Sequence, residues 1–92
     1  MLTPQASPEQ LQHDEWILRW TREYLAQKNV LTALPILGPH SVDIVVFYDH
    51  PPAIMFVEVK GAHAKPSPLE SHVKRIIQSR PKLGYEIRRY QT

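Results

Sequence analysis

The sequence predicts one α/β domain in the order helix, three strands, helix, strand, with a mixed sheet flanked by helices. Three observations support this. Residues 42–48 and 54–60 are apolar runs rich in β-forming residues, separated by a short turn. Ser-Pro pairs that are typical of helix starts occur at Ser7 and Ser67. Apolar and polar residues then alternate over residues 85–90, which indicates a fourth strand.

The first helix is predicted from Ser7 to about Lys28, after a loose tail at residues 1–6. Ser7 is the expected N-cap, Pro8 occupies the first helical position, and Gln10 closes a capping box. At about 100° per residue, six apolar side chains gather on one broad side, which we expect to pack on the sheet: Leu11, Ile17, Leu18, Trp20, Tyr24 and Leu25.

The first strand and the second helix have simple sequence signals. Residues 30–37 are β-compatible but contain Pro35, so we expect an edge strand there. Ser67 and Glu70 form a predicted capping box at the start of the second helix, and Pro81 ends it. The apolar stripe of that helix comprises Leu69, Val73, Ile76 and Ile77.

The two apolar runs form a predicted hairpin, because Pro51 and Pro52 lie between them and cannot occupy a paired central strand. A four-residue loop, residues 49–52, places Asp43 opposite Glu58, with their Cβ atoms about 5 Å apart. A loop one residue longer would turn the Asp43 carboxylate to the other face. We therefore predict the four-residue register.

Three charged residues interrupt this apolar hairpin. Because side chains alternate along a strand, Glu58 and Lys60 lie on one face, whereas Val57 and Val59 point to the other. Buried charges must be paired or bind an ion. Asp43 and Glu58 supply the carboxylates that Mg²⁺ needs, while water and phosphate can complete its coordination. Lys60 could hold an attacking water or stabilise charge on a phosphate, which predicts phosphodiester cleavage.

Composition limits the class of protein. A chain of 92 residues is large enough for one domain and for a small core. It contains no cysteine, which excludes a disulfide framework and a thiolate metal site. It shows no pattern of a signal peptide or membrane span, so we expect a cytoplasmic protein without membrane association.

The charges are distributed unevenly along the chain. Residues 1–59 contain three basic and seven acidic side chains, whereas residues 60–92 contain eight basic and two acidic ones. A positive surface of this kind attracts a polyanion. The C-terminal third is therefore the expected side for a nucleic acid.

Asp43 followed 15 residues later by Glu58-Val59-Lys60 resembles the D…(D/E)xK signature of the PD-(D/E)XK nuclease superfamily. The superfamily core, a restriction-endonuclease-like fold, has the same order of helix, three strands, helix and strand. Within it, the chain looks most similar to small VRR-NUC and Holliday-junction-resolvase proteins. It departs from the pattern at Val42, where the superfamily name implies proline, and at Glu70, where VRR-NUC proteins commonly have glutamine.

The resemblance implies a Mg²⁺- or Mn²⁺-dependent endonuclease that acts on DNA more readily than RNA, with a preference for branched structures. Asp43, Glu58 and the Val59 carbonyl would bind the metal, and Lys60 would orient the nucleophilic water. Glu15 would add the acid that members often place on the first helix. Contacts with phosphates are expected from Lys65, Lys74 and Arg75.

Several alternatives stay open at this level. Asp14 has a better angular position than Glu15 for the helix acid, and His72 or Gln78 could replace Glu70 as the contact from the second helix. The same fold could also serve as an inactive module that binds nucleic acid or protein. A domain this small offers little surface for gripping a duplex, so we expect a homodimer.

Overall fold

Two helices and four strands make up the described part of the chain, in the predicted order. The computed structural model describes residues 7–38 and 42–91, so the predicted tail at residues 1–6 lies outside the described residues. The elements are α1 (Pro8–Leu25), β1 (Val30–Pro35), β2 (Ile44–Tyr48), β3 (Ala53–Gly61), α2 (Pro68–Gln78) and β4 (Leu83–Tyr90). The prediction of an α/β fold is confirmed.

The strands form one mixed sheet in the order β1-β2-β3-β4. The first three strands pair antiparallel, whereas β3 and β4 pair parallel. A parallel pair requires a crossover connection, which α2 supplies. β1 is an edge strand, as its proline predicts, and β3 lies inside the sheet between β2 and β4.

The hairpin has the predicted register. Tyr48 lies opposite Ala53, and Ile44 lies opposite Val57. Asp43 precedes β2 by one residue, and its amide donates a hydrogen bond of 2.9 Å to the Val57 carbonyl. This bond is one residue out of step with the ladder, because Val57 is also the residue opposite Ile44. The predicted pairing of Asp43 directly opposite Glu58 is therefore not formed, since the regular β2–β3 register ends at Ile44.

Helix α1 begins at the predicted residue, since the Ser7 side chain accepts a hydrogen bond of 3.1 Å from the Gln10 amide. The predicted capping box is not formed within the described residues, because the Gln10 side chain donates to Asp14 Oδ1 at 2.9 Å instead. The helix ends at Leu25, three residues before the predicted Lys28, with Ala26 as its C-cap. Differences of this size are common because helix ends contribute few tertiary contacts.

The prediction that the α1 leucines pack on the sheet was wrong. Leu11, Leu18 and Leu25 are 54%, 38% and 49% exposed, whereas Ile17 and Tyr24 are buried. The leucines recur every seven residues, about 100° around the helix from Ile17. A helix that lies on one sheet buries a stripe little wider than 100°. The buried stripe contains Ile17, Trp20, Thr21 and Tyr24, so the leucines face outward.

The core lies between α1 and one face of the sheet. The buried sheet residues include Ala33, Ile44, Val46, Val57 and Val59. Because side chains alternate along β3, Glu58 and Lys60 face the opposite side.

Helix α2 packs against β4 and contributes Glu70 beside Lys60, on the sheet face opposite α1. Of its predicted apolar stripe, Ile77 is buried but Leu69 and Ile76 are 61% and 52% exposed. No helix in residues 7–38 and 42–91 is long and apolar enough to cross a membrane.

Candidate metal centre

Two carboxylates are buried on neighbouring stretches of the sheet, one directly before β2 and one within β3. Asp43 and Glu58 are each only 1% exposed. An ionised carboxylate in such a position costs several kcal/mol unless hydrogen bonds or an opposite charge compensate it. The contacts of the two side chains therefore determine what the site can bind.

The Asp43 carboxylate is held between β3 and α1. Its Oδ2 accepts a hydrogen bond of 2.7 Å from the Val59 amide. The His13 Nε2 atom lies 3.4 Å from the same oxygen and 2.7 Å from the Val59 carbonyl oxygen. The hydrogen bond with Asp43 raises the pKa of His13, against the opposing effect of burial. Asp43, the Val59 carbonyl and His13 thus converge at one point.

The Glu58 carboxylate is held from the opposite side. Its Oε1 lies 3.1 Å from Lys60 Nζ as an ion pair, and its Oε2 accepts a hydrogen bond from the Tyr85 hydroxyl. Burial raises the pKa of Tyr85, and the nearby charges of Glu58 and Asp43 raise it further. The Tyr85 phenol therefore stays protonated and donates to Glu58.

Lys60 lies between two carboxylates. Besides Glu58, it contacts both oxygens of Glu70, at 2.9 and 3.1 Å. Glu70 Oε1 also accepts a hydrogen bond of 2.8 Å from the Ser67 amide, which completes the predicted capping box of α2. The start of α2 is thus tied to the end of β3 through Lys60.

Two buried carboxylate oxygens lack hydrogen-bond partners within the described residues. They are Asp43 Oδ1 and Glu58 Oε1, and the contact of the latter with Lys60 lacks hydrogen-bond geometry. Among the described residues, the carboxylate cluster comprises three acids and the side chains that contact them: Asp43, Glu58, Glu70, His13, Lys60 and Tyr85. Three carboxylates thus face one ammonium and one imidazole whose pKa is raised. Carboxylate oxygens without hydrogen bonds favour a bound cation in such a setting.

The residues present fit Mg²⁺ or Mn²⁺. The described ranges contain no group of three acidic, histidine or cysteine side chains at ligand spacing. A hard divalent cation does not require one, because water and phosphate complete a site with one or two carboxylates. Asp43, Glu58 and the Val59 carbonyl supply this minimal oxygen set.

Space for a substrate lies next to these groups. A cavity of about 290 Å³ is bordered by His13, Val59, Lys60, Gly61 and Tyr90, among others. It is open to solvent and exposes both polar and apolar atoms. A phosphate and its attached sugar could therefore approach Lys60 without displacing the core.

The structure does not bring Glu15 to the site. Glu15 is exposed, about 160° around α1 from Ile17, on the side away from the sheet. Asp14 lies closer: its Oδ1 is 3.7 Å from His13 Nδ1 and accepts a hydrogen bond of 3.3 Å from the Gly38 amide. Asp14 therefore bonds the Gly38 amide and the neighbouring His13 ring, and His13 is the α1 residue that reaches Asp43.

The other predicted residues lie outside the carboxylate cluster. Lys65 and Arg75 are exposed, and Lys74 is half-buried. On α2, Glu70 reaches Lys60, whereas His72 and Gln78 are exposed. Of these three α2 residues, Glu70 is therefore the one that contacts Lys60.

His13 and Tyr85 are members of the cluster that sequence reasoning missed. A signal for His13 existed, because it lies four residues before Ile17 and hence about 40° from it on the helix. Tyr85 had no comparable signal. Its approach to Glu58 depends on the register of the parallel β3–β4 pair, in which Phe56 is level with Tyr85.

No family model, curated protein or solved structure matches this chain, so its function has to be argued from the site itself.

Proposed function

We propose that this protein is a Mg²⁺- or Mn²⁺-dependent nuclease of the PD-(D/E)XK type that hydrolyses phosphodiester bonds in DNA. One observation carries the proposal. Two carboxylates that are 1% exposed each have an oxygen without a hydrogen bond from the described residues, and the ammonium of Lys60 is ion-paired with one of them, Glu58. Burying these acids is costly, and a cation-dependent reaction gives a physical reason for retaining them.

In this proposal Asp43, Glu58 and the Val59 carbonyl hold the ion. When bound, the ion supplies Lewis-acid polarisation of a phosphoryl oxygen and lowers the pKa of a water molecule. Lys60 orients that water or stabilises the charge that develops on the phosphate. Glu70 keeps the Lys60 ammonium directed at the site through the contacts of 2.9 and 3.1 Å.

His13 adds a feature specific to this chain. Its Nε2 lies 2.7 Å from the Val59 carbonyl oxygen and donates a hydrogen bond to it. An ion held by that carbonyl would replace this proton and take the neutral ring nitrogen as a further ligand. Imidazole nitrogen suits Mn²⁺ better than Mg²⁺, which prefers oxygen ligands. The position of His13 therefore favours Mn²⁺ between the two ions.

A nucleic acid is the proposed substrate for two reasons: it contains the phosphodiester bonds that the proposed reaction cleaves, and its negative charge complements the basic C-terminal third of the chain. The basic excess lies in residues 60–92, which include Lys60 and the solvent-exposed Lys65 and Arg75. Lys65, Lys74 and Arg75 are the proposed phosphate contacts. The preference for DNA, and for branched DNA, comes from the resemblance to resolvase-like nucleases.

The restriction-endonuclease-like core is part of the same proposal. Support comes from the observed order of elements and from the mixed sheet, in which two antiparallel pairs precede one parallel pair. The acids also lie at neighbouring strand ends, as the signature requires. These features are shared with other α/β folds, so the chemistry has to be tested directly.

The test is a cleavage assay with purified protein on four-way-junction, nicked, single-stranded and linear duplex DNA and on RNA, with Mn²⁺ or Mg²⁺. We expect cleavage that EDTA stops and that Asp43→Asn and Glu58→Gln each abolish. Asp49→Asn and Glu23→Gln make the same charge changes at acids outside the cluster and should stay active. Absence of cleavage on every substrate, or activity surviving in both site variants, would overturn the proposal.

A second candidate is a non-catalytic module that binds nucleic acid or a protein. The internal pairing of the site favours it: Lys60 already contacts Glu58 and Glu70, and Asp43 Oδ2 is satisfied by the Val59 amide. Calorimetric titration with Mn²⁺ separates the candidates. A metal site gives saturable binding that Asp43→Asn weakens, whereas a purely structural ion cluster gives none.

A homodimer is the proposed assembly. Leu31 and Leu34 of the edge strand β1 are 67% and 50% exposed, and the nearby Leu37 is 46% exposed. An exposed apolar strand edge is a common site of pairing with another chain. A C2 dimer would cover it and present two sites to the two strands of a duplex.

A further inference from the structure

Tyr85 is a member of the carboxylate cluster to which the nuclease reaction assigns no part. It lies on β4, and its side chain faces the same side of the sheet as Glu58. Its hydroxyl donates to Glu58 Oε2, a contact between residues 27 positions apart in the chain. A bond of this kind is made only when β4 has docked parallel to β3.

The two oxygens of Glu58 are used differently. Oε2 receives the Tyr85 hydroxyl, while Oε1 has no hydrogen-bond partner within residues 7–38 and 42–91 and lies beside Lys60. The hydroxyl therefore fixes the rotation of the carboxylate and leaves Oε1 as the oxygen available to a cation. Carboxylates that bind metals are commonly held by such hydrogen bonds, and removing the donor weakens metal binding.

We propose that Tyr85 is the positioning residue that orients Glu58 for metal binding. It acts through Glu58 and does not itself contact the ion or the substrate. This role presupposes the metal-dependent function proposed above. It adds a specific claim, namely that one phenol on β4 determines how well the site holds Mn²⁺.

The chain contains a matched control. Tyr24 is buried and Tyr85 is half-buried, and the hydroxyl of each donates to a glutamate. For Tyr24 the acceptor is Glu86 Oε2, at 2.9 Å. Burial and the glutamate raise its pKa, as they do for Tyr85. Tyr24 lies on α1 and packs in the core. Tyr85→Phe thus deletes a tyrosine–glutamate hydrogen bond at the cluster. Tyr24→Phe deletes a bond of the same type away from the cluster.

The experiment is calorimetric titration of Mn²⁺ into the wild-type protein and both Phe variants, with thermal denaturation of the metal-free proteins alongside. We expect Tyr85→Phe to weaken Mn²⁺ binding about 10- to 100-fold, with a melting temperature close to that of Tyr24→Phe. Tyr24→Phe should bind Mn²⁺ as the wild type does. A merely structural tyrosine would change the melting temperature and leave the affinity unchanged.

The outcomes distinguish this role from the proposed function. Wild-type affinity in Tyr85→Phe, or equal weakening in both variants, would overturn the role of Tyr85 and leave the metal site standing. Absence of Mn²⁺ binding in the wild type would overturn both. If Tyr85→Phe is too unstable to measure, 4-aminophenylalanine and 4-methylphenylalanine at position 85 give the same comparison, because both keep the ring and nearly the same volume. Only the amino group donates a hydrogen bond from the phenol position, so this variant should bind Mn²⁺ more tightly than the methyl variant; equal binding would count against the role.

Discussion

Lys60 is the residue whose role best separates catalysis from metal binding alone. Its ammonium lies 3.1 Å from one oxygen of Glu58 and 2.9 Å from one oxygen of Glu70. A cation in that place neutralises the acids but also repels a metal ion that binds them. Removing it should therefore affect turnover and metal affinity in opposite directions.

We predict that Lys60→Ala abolishes cleavage while Mn²⁺ affinity is retained or increased. Glu58→Gln should lose both. Cleavage assays and calorimetry on the two variants check this, and Lys28→Ala controls for the loss of a lysine outside the cluster. A large drop in melting temperature with no activity to lose would instead identify an ordinary ion pair.

His13 should determine which ion the site prefers. We predict that Mn²⁺ raises the melting temperature of the wild-type protein more than Mg²⁺ does, because the ring nitrogen at the Val59 carbonyl suits Mn²⁺. His13→Asn should narrow this difference. His50→Asn makes the same change at a histidine in the β2–β3 turn and should preserve it. If the difference between the Mn²⁺ and Mg²⁺ melting temperatures is unchanged in His13→Asn, His13 does not contact the ion.

At the scale of elements, α2 is tied to the sheet through Glu70. The carboxylate caps the helix at Ser67 and also contacts Lys60. One side chain thus links local helix stability with the geometry of the site.

Two substitutions of Glu70 should separate these functions. We predict that Glu70→Ala lowers the free energy of unfolding by about 1 kcal/mol, since it removes the hydrogen bond to Ser67. Glu70→Gln keeps an oxygen that can accept the Ser67 hydrogen bond, so it should lower the free energy of unfolding by less. Cleavage should stay at least at the wild-type level, because the Glu70 charge no longer competes with the site for the Lys60 ammonium. Urea denaturation and cleavage assays measure both. Equal destabilisation by Ala and Gln would contradict the capping role.

The whole molecule should lose stability at high pH. Burial is the largest cause that raises the pKa values of Tyr24, Tyr48, Tyr85 and Tyr90. The folded state therefore holds these phenol protons more tightly than the unfolded chain, whose tyrosines titrate near about pH 10. The resulting stability is fully present below that value and is lost as the pH rises through the folded-state pKa values.

We predict that the free energy of unfolding falls steadily above about pH 10. Tyr24→Phe should reduce the slope, because that residue no longer titrates. Urea denaturation between about pH 8 and 11.5 measures the effect, and comparison with the wild type cancels the titration of lysines. The same slope in Tyr24→Phe and the wild type would contradict this cause.

Assembly is the second property of the whole molecule. We predict a dimer at tens of micromolar that Leu34→Lys weakens, because a charge on the apolar β1 edge would have to be buried between the chains. Lys28→Glu changes a nearby charge without altering the leucines and should not weaken the dimer. Light scattering checks both, and a wild-type monomer at tens of micromolar would count against the proposed assembly.

The sequence by itself determined the order of the elements and the hairpin register. Both depend on interactions between residues close together in the chain. Two prolines defined the turn between the strands, serine N-caps defined where both helices begin, and the alternation of apolar and polar residues indicated a strand. Once the loop length was known, the register followed as far as Ile44 opposite Val57. Asp43 and Glu58 were thus identifiable from the chain as acids of neighbouring strands, whereas the offset of Asp43 from that register was not.

Only the tertiary structure decided which side of α1 is buried and which other residues reach the carboxylates. The apolar side of α1 is broader than the stripe that one sheet can cover. The sequence pattern therefore could not tell whether the leucines or the stripe with Ile17 and Tyr24 would be buried. Docking α1 on that stripe brings His13 to Asp43 and turns Glu15 outward. Tyr85 meets Glu58 because the α2 crossover sets the β3–β4 register, and no local pattern encodes that long-range pairing.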